Sequence, residues 1–154
     1  MKNNPAKPID HSYKDDGNKK IVTTSSAFGI LRRGLIENLG LKRAKGFMLR
    51  YGWNLGVSDA EEAMLTNTDI DFLIKQAAIL HLSTGQVGDV QTERFIELVD
   101  SENIKTIRAK GKWINSFEAY EHLKHHGKSD TPVCHTLTGY ASGYMSTICK
   151  KSAI

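Results

Sequence analysis

Cysteine, proline and long apolar runs are all scarce in this sequence. Its 154 residues include two cysteines and three prolines. Two cysteines cannot build the disulfide framework of a small secreted domain, so we expect a reducing, cytoplasmic environment. The polar amino-terminal stretch does not fit a signal peptide, and no apolar run is long enough to span a membrane. The composition therefore argues against a secreted scaffold and against an integral membrane protein.

An excess of one charge is also missing, and so are the common catalytic patterns. The net charge is +4 and the basic residues are spread along the chain, so we expect no direct contact with nucleic acid. Ser142 lies in Ala-Ser-Gly-Tyr rather than in the Gly-x-Ser-x-Gly turn of a hydrolase. No HExxH pattern accompanies His122, His125 and His126, which we interpret as a solvated helix face rather than a metal site. We therefore predict that the protein is not an enzyme.

The chain divides into a polar tail, predicted for residues 1–19, and one folded domain over residues 20–154. The tail has too few apolar residues to order itself and is expected to be flexible. β-Branched residues at 20–24 predict a short strand at the start of the domain.

Apolar residues at helical spacing come first in the domain and two short β-rich segments come later, which predicts an α+β fold. It consists of an N-terminal helical pair followed by a small antiparallel ribbon and further helices, with Trp113 at the end of the ribbon. The predicted helices cover 27–39, 41–55 or beyond, 69–82, 115–126 and 131–151. The first should be capped at Thr24 to Ser26 and end at Gly40, and Asn115 should cap the fourth. Ser58 or Asp59 should cap a further turn after the second. The predicted strands cover 95–99 and 104–107, around a turn at 100–103.

Glycines accumulate on two of these helices. Gly46, Gly52 and Gly56 weaken the second helix by roughly 1 kcal/mol each relative to alanine, so we attribute them to close packing between helices, in a dimer or in a packing platform. In the last helix the segment 139–144 alternates small residues with Tyr140 and Tyr144. Another backbone or a flat ligand can approach such a surface closely.

Three residues carry chemistry that fits either a binding site or a core. His81 follows the apolar residues 77–80 and is either a hydrogen-bonded core histidine or a polar group in an apolar pocket. Trp113 is either a core aromatic or the source of an indole N–H, which needs an acceptor when buried. Cys134 on its own behaves as a small hydrophobic residue.

Several segments, taken in order, together resemble the N-terminal sensory domain of the XylR/DmpR group of bacterial activators of aromatic catabolism. The resemblance covers about residues 21–154, and no single motif in it is diagnostic. The matching segments are 26–40, 44–47, 52–56, Asp59-Ala60, Leu80-His81 with Gly85, 113–118 with His122-Leu123, 132–134 and 139–144.

This resemblance implies a domain that binds phenols or alkylbenzenes and controls a downstream AAA+ ATPase, which works with sigma-54 polymerase. His81 and Trp113 match the pair that holds a phenolic hydroxyl. Tyr144 matches a wall of the pocket, and Tyr140 is a further candidate contact. Cys134 matches the first ligand of a structural zinc that closes a 4-vinyl-reductase-like second half. A homodimer is also expected.

The sequence departs from the family pattern around the histidine and at its carboxyl-terminal end. Ala77-Ala78 replaces the Gly-Pro before His81, and the spacing from the histidine to the tryptophan is a few residues longer. The other zinc ligands, a glutamate and two cysteines, are expected after the last helix, and Cys149 does not match one. We therefore expect an incomplete sensory domain that binds no zinc tightly, with an insecure last helix whose Tyr140 and Tyr144 are exposed or covered by a neighbouring chain.

Two other interpretations stay open at this point. One is a stand-alone 4-vinyl-reductase-like protein that binds a tetrapyrrole or a lipid without a regulatory ATPase. The other is a helical dimerisation module without a ligand. A Walker A motif downstream would favour the activator, and a stop codon would favour the stand-alone protein.

Overall fold

A computed structural model describes residues 23–93, 99–101, 104–106 and 110–149. Five helices and four strands lie in these ranges, which confirms the predicted α+β class. β1 pairs with β4 and β2 with β3, both antiparallel, as two separate two-stranded sheets. None of the helices in these ranges combines the length and the apolar character needed to cross a lipid bilayer. The helices are α1 Ser25–Leu39, α2 Leu41–Thr66, α3 Ile70–Ser83, α4 Phe117–His126 and α5 His135–Cys149, and the strands are β1 Asp89–Glu93, β2 Val99–Ser101, β3 Ile104–Thr106 and β4 Lys110–Ile114.

The first two helices begin and end close to the predicted residues. The Thr24 side chain caps α1, and Gly40, with a φ of 74°, separates α1 from α2. A positive φ favours glycine, which explains the residue at this junction. The helix α2 continues to Thr66, so the prediction that Ser58 or Asp59 caps a separate turn is wrong. The buried face of α2 continues past these two polar residues, and its packing maintains the helix.

The core is built around a close crossing of α2 and α5. Glycines on each helix lie directly against the backbone of the other, where an added Cβ would overlap a carbonyl oxygen. The contacts advance in the same direction along both helices, so α2 and α5 run parallel. The close packing predicted for the second helix is therefore a contact with the last helix of the same chain. The four pairs are Gly52 with Thr136, Gly56 with Tyr140, Gly139 with Leu49 and Gly143 with Trp53.

Four expectations about these helices are wrong. Gly46 is exposed with open space around it, because six residues at 3.6 per turn place it on a different face from Gly52. Tyr140 and Tyr144 are only 2% and 0% exposed, because α2 and α3 pack against α5. The last helix begins at His135 rather than at residue 131, and it is the central helix of the fold rather than its least secure part.

The strand prediction is confirmed in part. Ile104–Thr106 is a strand as predicted, but its partner β2 extends into the predicted turn. Two strands escaped prediction, β1 and β4, because neither alternates apolar with polar residues. Trp113 therefore lies within β4, opposite Val90, rather than at the end of the predicted ribbon. The predicted tail, the start of the strand at 20–24 and most of the strand at 95–99 lie outside the described residues.

The carboxylate of Glu118 ties α4 to the beginning of α5. It is fully buried and accepts hydrogen bonds from the backbone N–H groups of Thr136 and Leu137, both at 3.0 Å. N–H groups in the first turn of a helix have no partner within that helix. Glu118 thus caps α5 from a neighbouring helix, while Ser116 rather than the predicted Asn115 caps α4.

Candidate ligand-binding site

Two aromatic rings from separate elements contact the ring of His81. The histidine lies in the last turn of α3 and is buried. Its ring centroid is 5.8 Å from that of Trp113 on β4, edge to face, and 4.6 Å from that of Tyr140 on α5. His81 and Trp113, the pair that the resemblance identifies, therefore lie within the span of a small ligand, about 10 Å. We call His81, Trp113 and Tyr140 the aromatic cluster.

Tyr144 lies one helical turn beyond this cluster and contacts it through Tyr140. The two tyrosine rings are stacked with centroids 6.0 Å apart. The Tyr144 hydroxyl donates a hydrogen bond of 2.9 Å to the backbone oxygen of Leu73 on α3. Its polar group is therefore already used in fixing α5 against α3, and its ring supports the apolar side of the cluster.

The imidazole of His81 is neutral near pH 7. Burial lowers its pKa, and the hydrogen bond to Gln86 and the negative charge of Asp59 oppose this only in part. The Nδ1 atom lies 3.0 Å from Oε1 of Gln86. A neutral imidazole carries one N–H donor and one acceptor nitrogen. Because Nδ1 is paired with Gln86, the nitrogen of His81 left for a ligand is Nε2.

The Tyr140 hydroxyl is fixed by a carboxylate from α2. It donates a hydrogen bond of 2.7 Å to Oδ2 of Asp59. Burial raises the pKa of Tyr140, and this hydrogen bond raises it further, so the phenol group stays protonated. Asp59 lies in a segment that carries the family resemblance, yet no pattern in the sequence indicates that its carboxylate holds a tyrosine of the last helix.

The loop after α3 places His81 beside the segment that follows Trp113. Gly85 has a φ of 69°, which lets the chain turn back sharply. Gln86 then donates its backbone N–H to the His81 oxygen and accepts the N–H of Phe117 through its own oxygen, both at 3.0 Å. One residue thus joins the end of α3 to the start of α4. Sequence reasoning missed Gln86, since a single glutamine in a loop carries no pattern.

Cys134 lies away from the aromatic cluster, just before α5. Its Sγ is 3.3 Å from Oγ of Ser116. Burial raises the pKa of the Cys134 thiol, so the protonated thiol is favoured. In the part of the chain that the structure describes, no three His, Cys, Asp or Glu side chains are grouped so that they could hold a metal ion. The described residues therefore do not assemble a zinc site around Cys134.

A shallow apolar groove lies between α1 and α2. Its volume is about 190 Å³, and it shares no lining residue with the aromatic cluster. Its walls are apolar and include the aliphatic stem of Arg32. Such a surface suits another apolar partner rather than the recognition of a hydroxyl. The lining residues are Phe28, Leu31, Arg32, Leu35, Phe47, Met48 and Tyr51.

Comparisons with known proteins point to one family. A family profile described as "Activator of aromatic catabolism" matches residues 10–95. The chain is 37% identical over 141 residues to the phenol regulator MopR of Acinetobacter guillouiae, covering 90% of this chain and 24% of that protein. It is 32% identical over 130 residues to the transcriptional regulatory protein XylR of Pseudomonas putida, covering 83% of this chain and 22% of that protein.

The fold is also similar to a solved sensory domain. The crystal structure of the phenol-responsive sensory domain of the transcription activator PoxR with phenol matches with a TM-score of 0.75 and 30% identity, covering 88% of this chain and 66% of that one. The chain spans about a quarter of the length of the curated relatives that it matches. Because the family profile covers more than half of the chain and the fold agrees, the chain belongs to the family of sensory domains of XylR/DmpR-type activators of aromatic catabolism.

Proposed function

We propose that this chain binds a phenol-like or alkylbenzene effector at the aromatic cluster and is the sensory part of a bacterial sigma-54-dependent transcription activator. The observation that carries the proposal is the meeting of His81, Trp113 and Tyr140 from three separate elements. The names of two relatives support it, since MopR is a phenol regulator and the PoxR domain is phenol-responsive.

The chemistry of the cluster suits a hydroxyl on an apolar ring. A neutral His81 can accept a hydrogen bond from the hydroxyl, and the Trp113 indole N–H can donate one to it. Tyr140 and Tyr144 supply an apolar surface of the kind that encloses small aromatic ligands. A polar group left unpaired in such a site costs about 1–3 kcal/mol. Phenol should therefore bind roughly 5- to 100-fold more tightly than toluene.

Binding should displace Trp113 rather than Tyr140. The rings of His81 and Trp113 are in edge contact at 5.8 Å, which leaves no room for a third ring between them. Tyr140 is held by Asp59 and by the close crossing of α2 and α5. Trp113 lies on a two-stranded sheet, which is a marginal structure by itself. We infer that the ligand enters between His81 and Trp113 as the latter moves aside.

Calorimetry with phenol and toluene tests this proposal. His81→Phe removes the acceptor and keeps an aromatic ring, so it should lose the preference for phenol while it still binds toluene. His126→Phe, at an exposed position on α4, is the matched control and should bind as the parent chain does. Phenol binding that is unchanged in His81→Phe, or absent from the parent chain, would contradict the proposal.

Tryptophan fluorescence tests the predicted movement of Trp113. The chain has two tryptophans, Trp53 and Trp113. Trp53→Phe leaves Trp113 as the reporter, and it keeps the backbone oxygen against which Gly143 packs. Phenol should change the emission of this variant at the concentrations at which calorimetry detects binding. An emission unaffected by saturating phenol would argue against displacement.

The wider parts of the proposal follow from the family. We propose a homodimer in which α1 and α2 contribute the contact, a downstream AAA+ ATPase as the controlled partner, a cytoplasmic location and no catalytic activity. We also propose that α4 and α5 begin a 4-vinyl-reductase-like fold, which one structural zinc would stabilise in a longer chain that supplies the further ligands.

A further inference from the structure

Gln86 takes part in three hydrogen bonds, two of which join it to His81 of the aromatic cluster. Its side-chain Oε1 lies 3.0 Å from Nδ1 of His81, and its backbone N–H donates to the oxygen of the same histidine. Its backbone oxygen accepts the N–H of Phe117, which fixes the residue to the start of α4. Gln86 is partly buried, and both its backbone N–H and its backbone oxygen are hydrogen-bonded. Such a placement orients a neighbouring side chain rather than filling space.

The side-chain amide of Gln86 is placed with its oxygen, rather than its nitrogen, toward Nδ1. An amide oxygen can only accept, so in this orientation the proton between the two atoms lies on Nδ1. The remaining nitrogen of a neutral imidazole, Nε2, is then an acceptor. We propose that Gln86 is a positioning residue that holds His81 in the Nδ1–H tautomer and thereby favours aromatic effectors that donate a hydrogen bond over those whose polar group can only accept one. This inference rests on the proposed function of the aromatic cluster and adds the direction of the hydrogen bond that the cluster requires.

The other groups that face His81 leave this role to Gln86. Asp59 on α2 affects the imidazole through its charge, but its Oδ2 accepts the hydroxyl of Tyr140. Tyr140 on α5 and Trp113 on β4 meet the imidazole as rings. Nδ1 of His81 makes its direct hydrogen bond to Oε1 of Gln86, which accepts it. A change at position 86 therefore acts on the tautomer without removing a ring from the cluster.

The tautomer decides between aromatic ligands by the polar group that they present to Nε2. Phenol and aniline present a donor to Nε2, whereas anisole carries an oxygen that can only accept. The anisole oxygen can accept from the Trp113 indole N–H, but it leaves the Nε2 acceptor unpaired in a buried site, which is unfavourable. The expected order of affinity in the parent chain is phenol first and anisole well behind it.

Nitrogen NMR of the full chain tests the tautomer directly. The six histidines are labelled with ¹⁵N, and the His81 signals are identified by their loss in His81→Phe. In the ligand-free parent chain at neutral pH, Nδ1 should show the shift of a protonated, pyrrole-type nitrogen and Nε2 that of a pyridine-type nitrogen. The reverse assignment would overturn the proposal, whether or not the chain binds phenol.

Two substitutions connect the tautomer to selectivity. Gln86→Met keeps the length of the side chain and removes the hydrogen bond to His81. Both tautomers of His81 should then appear. The preference for phenol over anisole should fall by roughly 3- to 10-fold, which is the factor that one hydrogen bond provides. Gln86→Glu keeps an acceptor for the Nδ1 proton, and its negative charge also favours a protonated imidazole, so Nδ1 should stay protonated. Gln91→Met, at an exposed position on β1, is the matched control and should leave tautomer and preference unchanged.

The outcomes separate this inference from the proposed function. If the parent chain binds phenol and Gln86→Met shows the parental tautomer and the parental preference over anisole, the role of Gln86 is refuted while the function stands. If the parent chain binds neither ligand, the function fails, and the NMR spectrum of the free chain still decides the tautomer. Should Gln86→Met fail to fold, the spectra of the parent chain and of Gln86→Glu carry the test.

Discussion

An alanine at Gly56 should weaken the fold, although alanine is the better helix former. An added Cβ there would lie 2.8 Å from the backbone N of Tyr144 and still closer to the oxygen of Tyr140, whereas ordinary contacts begin at 3.4 Å. The helices α2 and α5 would have to separate by more than half an ångström, and backbone atoms cannot rotate away. Overpacking of this kind costs about 1–3 kcal/mol, and the helix propensity of alanine returns about 1 kcal/mol. We expect a net loss of up to about 2 kcal/mol.

Gly46→Ala is the matched control in the same helix. Its Cβ would meet nothing within 4 Å, so only the propensity acts and the variant should gain about 0.5–1 kcal/mol. Urea denaturation followed by far-UV circular dichroism measures both free energies of unfolding, and equal slopes would show that the two unfolded states are comparable. If Gly56→Ala is as stable as Gly46→Ala, the close crossing of α2 and α5 is not as described.

Three further predictions concern the beginning of α5 and Cys134. Burial, together with the charge of Lys45, lowers the pKa of His135 to about 4. The unfolded chain takes up this proton near pH 6.5, whereas the folded chain does not. The free energy of unfolding should therefore fall by on the order of 2–3 kcal/mol between about pH 6.5 and pH 4. His135→Gln should flatten that slope in urea titrations at stepped pH, and an unchanged slope would refute the assignment. Glu118→Gln leaves one N–H of α5 without its acceptor and should lower the free energy of unfolding by about 1–3 kcal/mol. As the control, Glu62→Gln at an exposed position should change it by less than about 0.5 kcal/mol. Equal effects would contradict the role of Glu118 as the cap of α5. Elemental analysis should find no stoichiometric zinc in this chain, because Cys134 has too few partners, and zinc that survives a chelator would show that the ligands are elsewhere.

Local signals predicted much of the helical part of the fold. Thr24 and Gly40 mark the ends of α1 as their chemistry requires, and Asp69 caps α3 by accepting the N–H of Phe72 at 2.7 Å. Such caps depend on neighbours within a few residues, so the sequence displays them directly. The strands β1 and β4 depend on each other across the loop between them, and their composition gave no comparable signal.

The pairing of helices was harder to predict than their existence. The glycines of α2 and α5 indicated close packing, but nothing in the sequence showed that the two sets face each other. The expectation that Tyr140 and Tyr144 lack a cover assumed that only later residues could supply one. The paired glycines let α2 approach closely enough to cover them.

The aromatic cluster was predictable only in its principal residues. His81 and Trp113 were identified through the ordered resemblance, because each by itself is as typical of a core as of a site. The side chain of Asp59 accepts a hydrogen bond from Tyr140, which is distant in sequence, and that of Gln86 pairs with His81 across a turn. Such partners become visible only when the fold brings α2, α3 and α5 together.

The position of bound phenol is the most direct test of the central claim. Intermolecular nuclear Overhauser effects, recorded on the labelled chain saturated with phenol, report which side chains lie next to the ligand ring. The aromatic cluster predicts contacts from phenol protons to the ring protons of Trp113 and Tyr140. Contacts confined to Phe28, Phe47 and Tyr51 would place the ligand in the groove between α1 and α2 and would contradict the account.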